Sequence, residues 1–306
     1  MKILIVGAGG VGGYFGARMI EAGGDVTFLL REKRNRLISE NGLQIETPEG
    51  NFTVHPKTVT AESLTPDYDL IILAPKAFDL EDSLKSLEKA SAKGVFLPFL
   101  NGFSHLEALD AKFGRGRVMG GVALIAATIT ETGAVRRMTD VRGLIAGKRD
   151  EAHADLAAEF AALCDAAEFS FVNSEDIEQA LWDKWVFLAS LAAMTTLCLG
   201  TVGEIVATPY GEELSRRIYA ECCSIAAAND HPVDEGTQSK ALGVLTSKGS
   251  PFTASMMRDL TGGYRTEHEH VLGDLAKKGA AAGLDLPLLK IAYTHMAVVK
   301  SPSRER

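Results

Sequence analysis

The chain begins Met1-Lys2-Ile3-Leu4-Ile5-Val6, and Gly7-Ala8-Gly9-Gly10-Val11-Gly12-Gly13 follows directly. The first stretch has the apolar, β-branched composition of a buried strand, and the second contains the pattern G-x-G-x-x-G. A helical stretch over residues 14–22 comes next, and residues 25–30 predict a second strand. This order of strand, glycine-rich turn, helix and strand predicts the phosphate-binding part of a dinucleotide-binding Rossmann domain.

The glycines of this pattern have separate tasks in such a site. Gly7 permits the tight turn, Gly9 lets backbone amides approach a pyrophosphate, and Gly12 lets the helix pack on the strand. The positive end of the helix dipole also faces the phosphates. The predicted coenzyme contacts in the turn are Gly7, Ala8, Gly9, Gly10, Val11 and Gly12. A plain turn is the alternative, and the flanking strands and helix argue against it.

Length, charge and cysteine usage limit the class of protein. The chain has 306 residues, enough for two domains, and its net charge of −8 gives no general attraction for nucleic acid or an anionic membrane. The four cysteines have no C-x-x-C spacing, which favours reduced thiols over a disulfide framework or a metal site. The most apolar stretch, residues 185–199, is shorter than the ~20 residues of a membrane span. We expect a cytoplasmic protein with no bound metal and neither nucleic acid nor membrane as a partner.

The chain changes character near residue 172. Before it, apolar strands alternate with helical segments; the predicted strands are residues 2–6, 26–30, 70–73, 94–99, 118–130 and 144–147, with a hairpin of 43–46 and 52–55 and a helix of 151–167. After it, the pattern is helical; the predicted helices are residues 174–199, 211–229, 234–247, 255–260, 266–282 and 287–300, the first capped within residues 173–176. The predicted fold class is therefore α/β, with a Rossmann NADP-binding domain (1–172) followed by an all-helical substrate domain (173–306).

The end of the second strand bears on the choice of coenzyme. NAD-selective sites usually place Asp or Glu there, whereas NADP sites avoid the acid and offer arginine to the extra phosphate. Here the strand ends Leu29-Leu30-Arg31, and the basic residues Lys33, Arg34 and Arg36 follow. Because a guanidinium suits a phosphate dianion, Arg31 predicts NADP(H). A solvated helix start is the alternative reading.

Several segments together resemble the 2-dehydropantoate 2-reductases (ketopantoate reductases). In the family's order they are Gly7 to Arg18, Leu29-Leu30-Arg31, Pro75-Lys76-Ala77, Leu100-Asn101-Gly102-Phe103, Ala180-Leu181-Trp182-Asp183-Lys184, Ser255-Met256-Met257-Arg258-Asp259 and Thr266-Glu267. The resemblance extends over nearly the whole chain. It implies a Rossmann domain followed by a helical domain, and reduction of a 2-oxo acid to the 2-hydroxy acid by NADPH, as in pantothenate biosynthesis.

The resemblance also implies roles for individual residues. Lys184 is the implied general acid, and Glu267 is implied to orient and assist it. Ser255 is implied to help hold the substrate carboxylate, and Lys76 and Asn101 are implied to line the nicotinamide and substrate site.

Residue chemistry agrees with the role of Lys184. Hydride transfer to a carbonyl leaves an alkoxide, which needs a cation and a proton, and a lysine supplies both. Burial beside Trp182, Trp185 and Leu188 should lower its pKa. Residues 266–269 fit a capping box, which predicts Glu267 in the first turn of a helix.

Each of these side chains also has a plain structural alternative. Lys184 would only snorkel to solvent from its helix start, and Glu267 would complement a helix dipole. Asn101 with Gly102, and Lys76, would each form an ordinary turn, and Ser255 would cap its helix.

The chain departs from the family where its members usually carry asparagine. Leu188 and Ala192 lie one and two helical turns after Lys184, and Phe252 precedes Ser255 by three residues. Since polar groups that grip a hydroxylated substrate discriminate strongly, their replacement predicts a more apolar or bulkier 2-oxo acid. Thr195 would return one hydroxyl to the same helical face.

Two other functions stay open at this point. One is another Rossmann-plus-helical dehydrogenase acting on a hydroxy acid, an opine or an imine, and the other is a non-catalytic NADP(H)-binding sensor. The presence of both Lys184 and Glu267 favours an enzyme with a small-molecule 2-oxo acid substrate. His268 and His270 point to different faces of a helix and predict no metal site. The helical half offers surfaces for a homodimer, and the oligomeric state stays open.

Overall fold

The computed structural model describes residues 1–87 and 93–299. The chain forms two compact units: Met1–Leu100 with His105–Ala180, and Asn101–Ser104 with the chain from Leu181 onward. The first unit contains parallel sheet and helices, and the described part of the second contains helices, so the predicted fold class is confirmed. The domain boundary near residue 172 stays a prediction.

The main sheet of the first unit has five parallel strands in the order β5-β2-β1-β6-β7. They are β1 (Lys2–Val6), β2 (Asp25–Leu29), β5 (Lys57–Val59), β6 (Leu70–Leu73) and β7 (Val95–Pro98). Every residue of β6 and β7 is buried, as their continuous apolar runs predicted for a sheet covered on both faces. Strand β5 was not predicted.

Helices connect or flank these strands along the chain. They are α1 (Gly10–Glu21), α2 (Glu32–Asn41), α3 (Leu80–Ser86), α4 (Ser104–Phe113) and α5 (Ala154–Asp165). Helix α1 starts at Gly10, four residues before the predicted start, because the glycine-rich turn itself forms its first turn. The predicted helix of residues 151–167 is α5 preceded by one 3₁₀ turn, Glu151–His153.

A second sheet in the same unit has the order β10-β9-β3-β4, with β8 paired to β9. Its strands are β3 (Leu43–Glu46), β4 (Phe52–Val54), β8 (Gly120–Ile129), β9 (Val135–Gly147) and β10 (Ser170–Asn173). The β3–β4 hairpin is confirmed, but β9 begins at Val135 instead of residue 144. Its charged first half did not look like a strand, and the structure buries Arg137 there with an ion pair to Glu49.

The second unit is built from helices. They are α6 (Ile177–Cys198), α7 (Val202–Val206), α8 (Gly211–Ala228), α9 (Glu235–Leu245), α10 (Ser255–Thr261), α11 (Asp274–Ala281) and α12 (Pro287–Val298), and a π-helical turn, Glu269–Gly273, precedes α11. The division between the units falls within α6, whose start is capped by the Asp176 carboxylate accepting the Gln179 N–H at 3.1 Å. Helix α7 was not predicted, and the predicted end of the last helix, Lys300, lies outside the described residues.

Candidate active site

The glycine-rich turn after β1 has the backbone geometry that its sequence predicted. Gly7 has a φ of 92°, in the region that favours glycine. A Cβ on Gly12 would lie 2.3 Å from the carbonyl oxygen of Gly7, so helix α1 packs directly on the turn. At Gly9, the residue before α1, a Cβ would meet nothing within 4 Å. The backbone is therefore open to approach at Gly9, whereas Gly10 packs on the backbone of Ala127.

This turn fits the pyrophosphate of a dinucleotide. The first turn of α1 has no acidic side chain, and no side chain caps its N-terminus. Unpaired amides and the positive helix end at such a place attract an anion. These features agree with a phosphate site formed by residues 7–12, with Gly9 leaving the backbone open to approach.

Lys76 lies at the same edge of the main sheet as the glycine-rich turn. Strands β1 and β6 are parallel, and Val6 pairs with Leu73, so both chains leave the sheet side by side. Lys76 is partly buried and precedes a 3₁₀ turn, Ala77–Asp79, in which its carbonyl accepts the Asp79 N–H at 2.9 Å. This is the edge where open α/β sheets bind ligands.

Two arginines after β2 have different environments. The Arg31 side chain is 78 % exposed and pairs with Asp79 at 3.2 Å. Because an exposed ion pair stabilises by only about 0–1 kcal/mol, Asp79 holds Arg31 weakly, and the guanidinium is available to a phosphate. Arg34 is partly buried, and burial lowers its pKa.

Arg34 braces the glycine-rich turn. Its guanidinium donates to the carbonyl oxygen of Ala8 at 2.9 Å and to that of Gly133. The sequence grouped Arg34 with the other basic residues after β2, and its spacing of three residues from Arg31 gave no sign of a different role.

In the second unit, Lys184 lies on α6 and is partly buried. Burial lowers its pKa to about 8, and the negative charge of Glu267 opposes that change. This is the direction that the apolar sequence around Lys184 predicted. The ammonium group therefore gives up its proton more readily than an exposed lysine does.

Glu267 is 7 % exposed, and its place in the backbone corrects the predicted capping box. The helical residues begin at His268, so Glu267 precedes the helix, and its carbonyl accepts the N–H groups of His270 and Val271 at 3.1 and 3.0 Å. The Thr266 hydroxyl contacts Nδ1 of His268 at 2.9 Å instead of capping the helix. The prediction of a capping box was wrong because the helix starts one residue later than the box requires and the Thr266 hydroxyl bonds His268.

Asn101 bonds Glu267, the carboxylate that acts on Lys184. It lies three residues beyond the end of β7 in the loop Asn101–Ser104, which belongs to the second unit. Its Nδ2 donates to Oε2 of Glu267 at 3.5 Å. Three of the residues singled out from the sequence thus form one cluster of amide, carboxylate and amine.

Ser255 and Thr195 have other surroundings. Ser255 is the first residue of α10 and is exposed, and Ala254 occupies the N-cap position, so the alternative of a capping serine is wrong. The Thr195 hydroxyl donates to the Leu191 carbonyl at 2.6 Å and is fully buried. Thr195 therefore offers no hydroxyl to a ligand.

The positions where the family usually has asparagine are apolar here. Leu188 is partly buried and Ala192 is 3 % exposed, on the face of α6 that continues from Lys184. Phe252 is 36 % exposed in the segment before α10.

The histidines of residues 268–270 have separate partners. His268 contacts Thr266, whereas His270 lies 3.6 Å from Asp274. Across the described ranges, residues 1–87 and 93–299, no three His, Cys, Asp or Glu side chains group as metal ligands. Over the same ranges, every helix is too short or too polar to cross a membrane.

Comparison with known proteins identifies the family. The profile described as ketopantoate reductase PanE/ApbA matches residues 3–149, and the profile of its C-terminal part matches residues 176–300. The chain belongs to the ketopantoate reductase family. As a member of this ketopantoate reductase-like 2-oxo acid reductase family, it is an oxidoreductase that acts on CH–OH groups with NAD(P).

Individual relatives cover almost the whole chain. The uncharacterized oxidoreductase YkpB of Bacillus subtilis is 30 % identical over 302 residues, 98 % of this chain and 99 % of that protein. The 2-dehydropantoate 2-reductase of Archaeoglobus fulgidus is 30 % identical over 292 residues, 93 % and 92 % of the two chains. The structure of D-mandelate dehydrogenase with NADH and anilino(oxo)acetate has the same fold, with a TM-score of 0.87 and 21 % identity over 98 % of each chain.

Proposed function

We propose that this ketopantoate reductase family member reduces a 2-oxo acid to its 2-hydroxy acid with NADPH, with Lys184 as the proton donor. The observation that carries the proposal is the pair of Lys184 and Glu267: an amine whose pKa burial lowers to about 8, with a buried carboxylate close enough to favour its charged form. A surface lysine without a catalytic role has no such environment.

Lys184 supplies the proton that the reaction needs. Bound NADPH supplies the hydride to the keto carbon. As negative charge develops on the carbonyl oxygen, the ammonium of Lys184 stabilises that charge and transfers a proton from Nζ to the oxygen. A pKa of about 8 leaves the amine largely protonated at neutral pH and still acidic enough to donate.

Glu267 and Asn101 keep the donor ready. The carboxylate of Glu267 favours the charged amine, which offsets part of the effect of burial. The amide of Asn101 donates to that carboxylate and limits its rotation. Ser255 and Lys76 stay proposed contacts, to the substrate carboxylate and to the nicotinamide and substrate respectively.

The residue at the end of β2 supports NADPH over NADH. Arg31 is exposed there, and no carboxylate occupies the position that would bind the ribose hydroxyls of NAD. The glycine-rich turn would hold the pyrophosphate shared by both coenzymes. Coenzyme preference therefore depends on Arg31 in this proposal.

The apolar face of α6 supports a substrate with an apolar side chain. Leu188 and Ala192 extend that face from Lys184, and neither can bond a hydroxyl. A hydroxylated side chain would lose its hydrogen bonds to water there without replacing them, which costs affinity. We expect branched aliphatic and aromatic 2-oxo acids to be better substrates than 2-dehydropantoate.

A panel of 2-oxo acids tests the reaction, followed by the loss of NADPH absorbance. We expect Lys184→Met to lower kcat by about a thousandfold and to leave NADPH affinity within about twofold of wild type. Similar losses in kcat and in NADPH affinity would contradict the role of Lys184. Tight NADPH binding without turnover of any panel member would instead favour the sensor.

A second arm tests the substrate class. In the double variant Leu188→Asn with Ala192→Asn, we expect the ratio of kcat/KM for 2-dehydropantoate to that for an aliphatic 2-oxo acid to rise by about 10- to 100-fold. Wild-type protein that is most active on 2-dehydropantoate would overturn the proposed apolar substrate while leaving the reaction type intact.

A further inference from the structure

The helix that follows Glu267 begins with a π-helical turn. In Glu269–Gly273 the backbone is wider than an α-helix, and the Asp274 N–H donates to the carbonyl of Glu269, five residues back. Such turns are rare and are found frequently at functional sites. The contacts of this turn with the rest of the second unit are therefore of interest.

The loop Asn101–Ser104 lies along this π turn. Gly102 has a φ of 85°, and a Cβ on it would lie 2.9 Å from the His270 carbonyl oxygen. The Ser104 hydroxyl donates to the Asp274 carboxylate, which helps to lower the pKa of that acid to about 2 against the effect of burial. The bond between Asn101 and Glu267 adds a third contact. The loop therefore contacts the residues on either side of the π turn as well as the turn itself.

Trp185 contacts both the turn and the loop. It follows Lys184 on α6, is 1 % exposed, and donates from Nε1 to the Val271 carbonyl in the π turn at 2.9 Å. Its ring is nearly parallel to that of Phe103, with an interplanar angle of 8° and centroids 6.4 Å apart. One side chain next to the amine thus fixes the two segments that carry Glu267 and Asn101.

A second tryptophan provides an internal comparison. Trp182 is 2 % exposed and also contacts Phe103, with centroids 5.4 Å apart. The ring centroids of Trp182 and Trp185 are 5.1 Å apart. However, among the residues that the structure describes, Nε1 of Trp182 has no hydrogen-bond partner. Trp185 thus bonds the π turn, whereas Trp182 stacks on His231, with ring centroids 5.4 Å apart.

We propose that Trp185 is a positioning residue that holds the π turn and the loop Asn101–Ser104 together, and thereby keeps the Glu267 carboxylate next to the Lys184 amine. Its meaning for catalysis rests on the function proposed above, in which Lys184 is the proton donor. The geometric part, the placement of a carboxylate beside an amine, does not depend on the substrate.

Loss of the Trp185 hydrogen bond has a defined electrostatic result. The carboxylate raises the pKa of Lys184 against burial, and that influence weakens as the two charges separate. An added separation of about 2 Å at an effective dielectric constant of about 20 moves the titration of the amine to lower pH by about one pH unit. Removal of an indole that makes no such bond has no comparable result.

The test compares Trp185→Phe with Trp182→Phe, which remove the same group of atoms from adjacent buried sites. We expect Trp185→Phe to move the Lys184 titration, followed by NMR of the ¹⁵N-labelled lysine amines and assigned with Lys184→Arg, down by about one pH unit. The alkaline limb of the kcat profile should move with it, and kcat should fall by about tenfold. Trp182→Phe should change neither, and NADPH affinity should stay constant in both.

Equal titrations in the two variants, or no change in Trp185→Phe, would overturn the proposal. If Trp185→Phe does not fold, Gly102→Ala decides, because its Cβ would push on the His270 carbonyl and should move the titration in the same direction. The NMR titration needs no turnover. A wild-type protein that reduces no 2-oxo acid would therefore refute the proposed function and still leave the positioning role to be judged.

Discussion

Two helix starts in this protein carry proposed site residues, and they are built in different ways. Before α1, a run of glycines leaves the backbone without side chains, and the residues that allow this geometry lie together in residues 7–13, with Arg34 bonding the Ala8 carbonyl. Before α11, Glu267 lies just ahead of a π turn; Asn101 bonds its carboxylate, and Trp185 of α6 bonds the Val271 carbonyl in the turn. A site made of backbone is encoded locally, whereas a site made of side chains depends on distant residues.

We expect the largest effect of a substitution at the helix start before α1. Gly12→Val places its side chain within contact of the Gly7 carbonyl, so we expect destabilisation by more than about 3 kcal/mol, measured by thermal and urea unfolding. Gly9→Ala is the control, because its Cβ meets nothing. It should unfold like wild type and bind NADPH more weakly. A wild-type midpoint for Gly12→Val would contradict the close approach.

The helix start before α11 is tested by Glu267→Gln, which keeps the shape of the side chain and removes its charge. We expect kcat to fall by about a hundredfold. Without the carboxylate, the pKa of Lys184 falls below about 8, so the active protonated amine is lost at lower pH and the alkaline limb moves down. Glu235→Gln, at the exposed start of α9, is the control. If the alkaline limb of the kcat profile did not move in Glu267→Gln, Glu267 would have no influence on the pKa of the Lys184 amine.

A third experiment measures the cost of the buried amine as pH varies. The folded pKa of Lys184 lies below the ordinary 10.5, so the unfolded chain binds more protons between about pH 8 and 10.5 and stability rises with pH in that window. Between pH 7 and pH 10, the unfolding free energy of wild type should rise by about 2 kcal/mol more than that of Lys184→Met. Parallel urea titrations of the two proteins check this, and equal slopes would rule out the lowered pKa.

We expect the smallest effect for the two arginines near the start of α1, which should differ in how they affect coenzyme binding. Arg31→Ala should raise KM for NADPH by about tenfold and leave KM for NADH unchanged, because only the extra phosphate is lost as a partner. Arg34→Ala should weaken both coenzymes alike, since Arg34 bonds the Ala8 carbonyl of the turn. If both variants changed the preference for NADPH over NADH to the same extent, Arg31 could not be assigned as the phosphate ligand and Arg34 as a support of the turn.

The sequence was informative where structure is local. The glycine-rich turn, the buried strands and the β3–β4 hairpin follow from neighbouring residues and were predicted correctly. Thr266 and Glu269 also fit a capping box, but the Thr266 hydroxyl bonds His268, and the π turn that follows has partners in Trp185 and in the loop at Gly102. The sequence pattern of a helix contains no information on such partners.

The same limit explains two other errors. The first half of β9 looked too charged for a strand, because the partner that compensates buried Arg137 lies in the β3–β4 turn. Thr195 has the right spacing for a site residue, but its hydroxyl bonds its own helix. Asn101 was predicted as a site residue, and its partner Glu267 lies on a segment far along the chain.

The lowered pKa of Lys184 has a chemical consequence beyond proton donation. With a pKa of about 8, about one-tenth of this amine is unprotonated at pH 7, far more than for a surface lysine. An unprotonated amine attacks ketones and forms imines, which is a hazard for a protein whose proposed substrate is a keto acid. Because the charge of Glu267 opposes the effect of burial on this pKa, it lowers the fraction of unprotonated amine that could react with such a substrate.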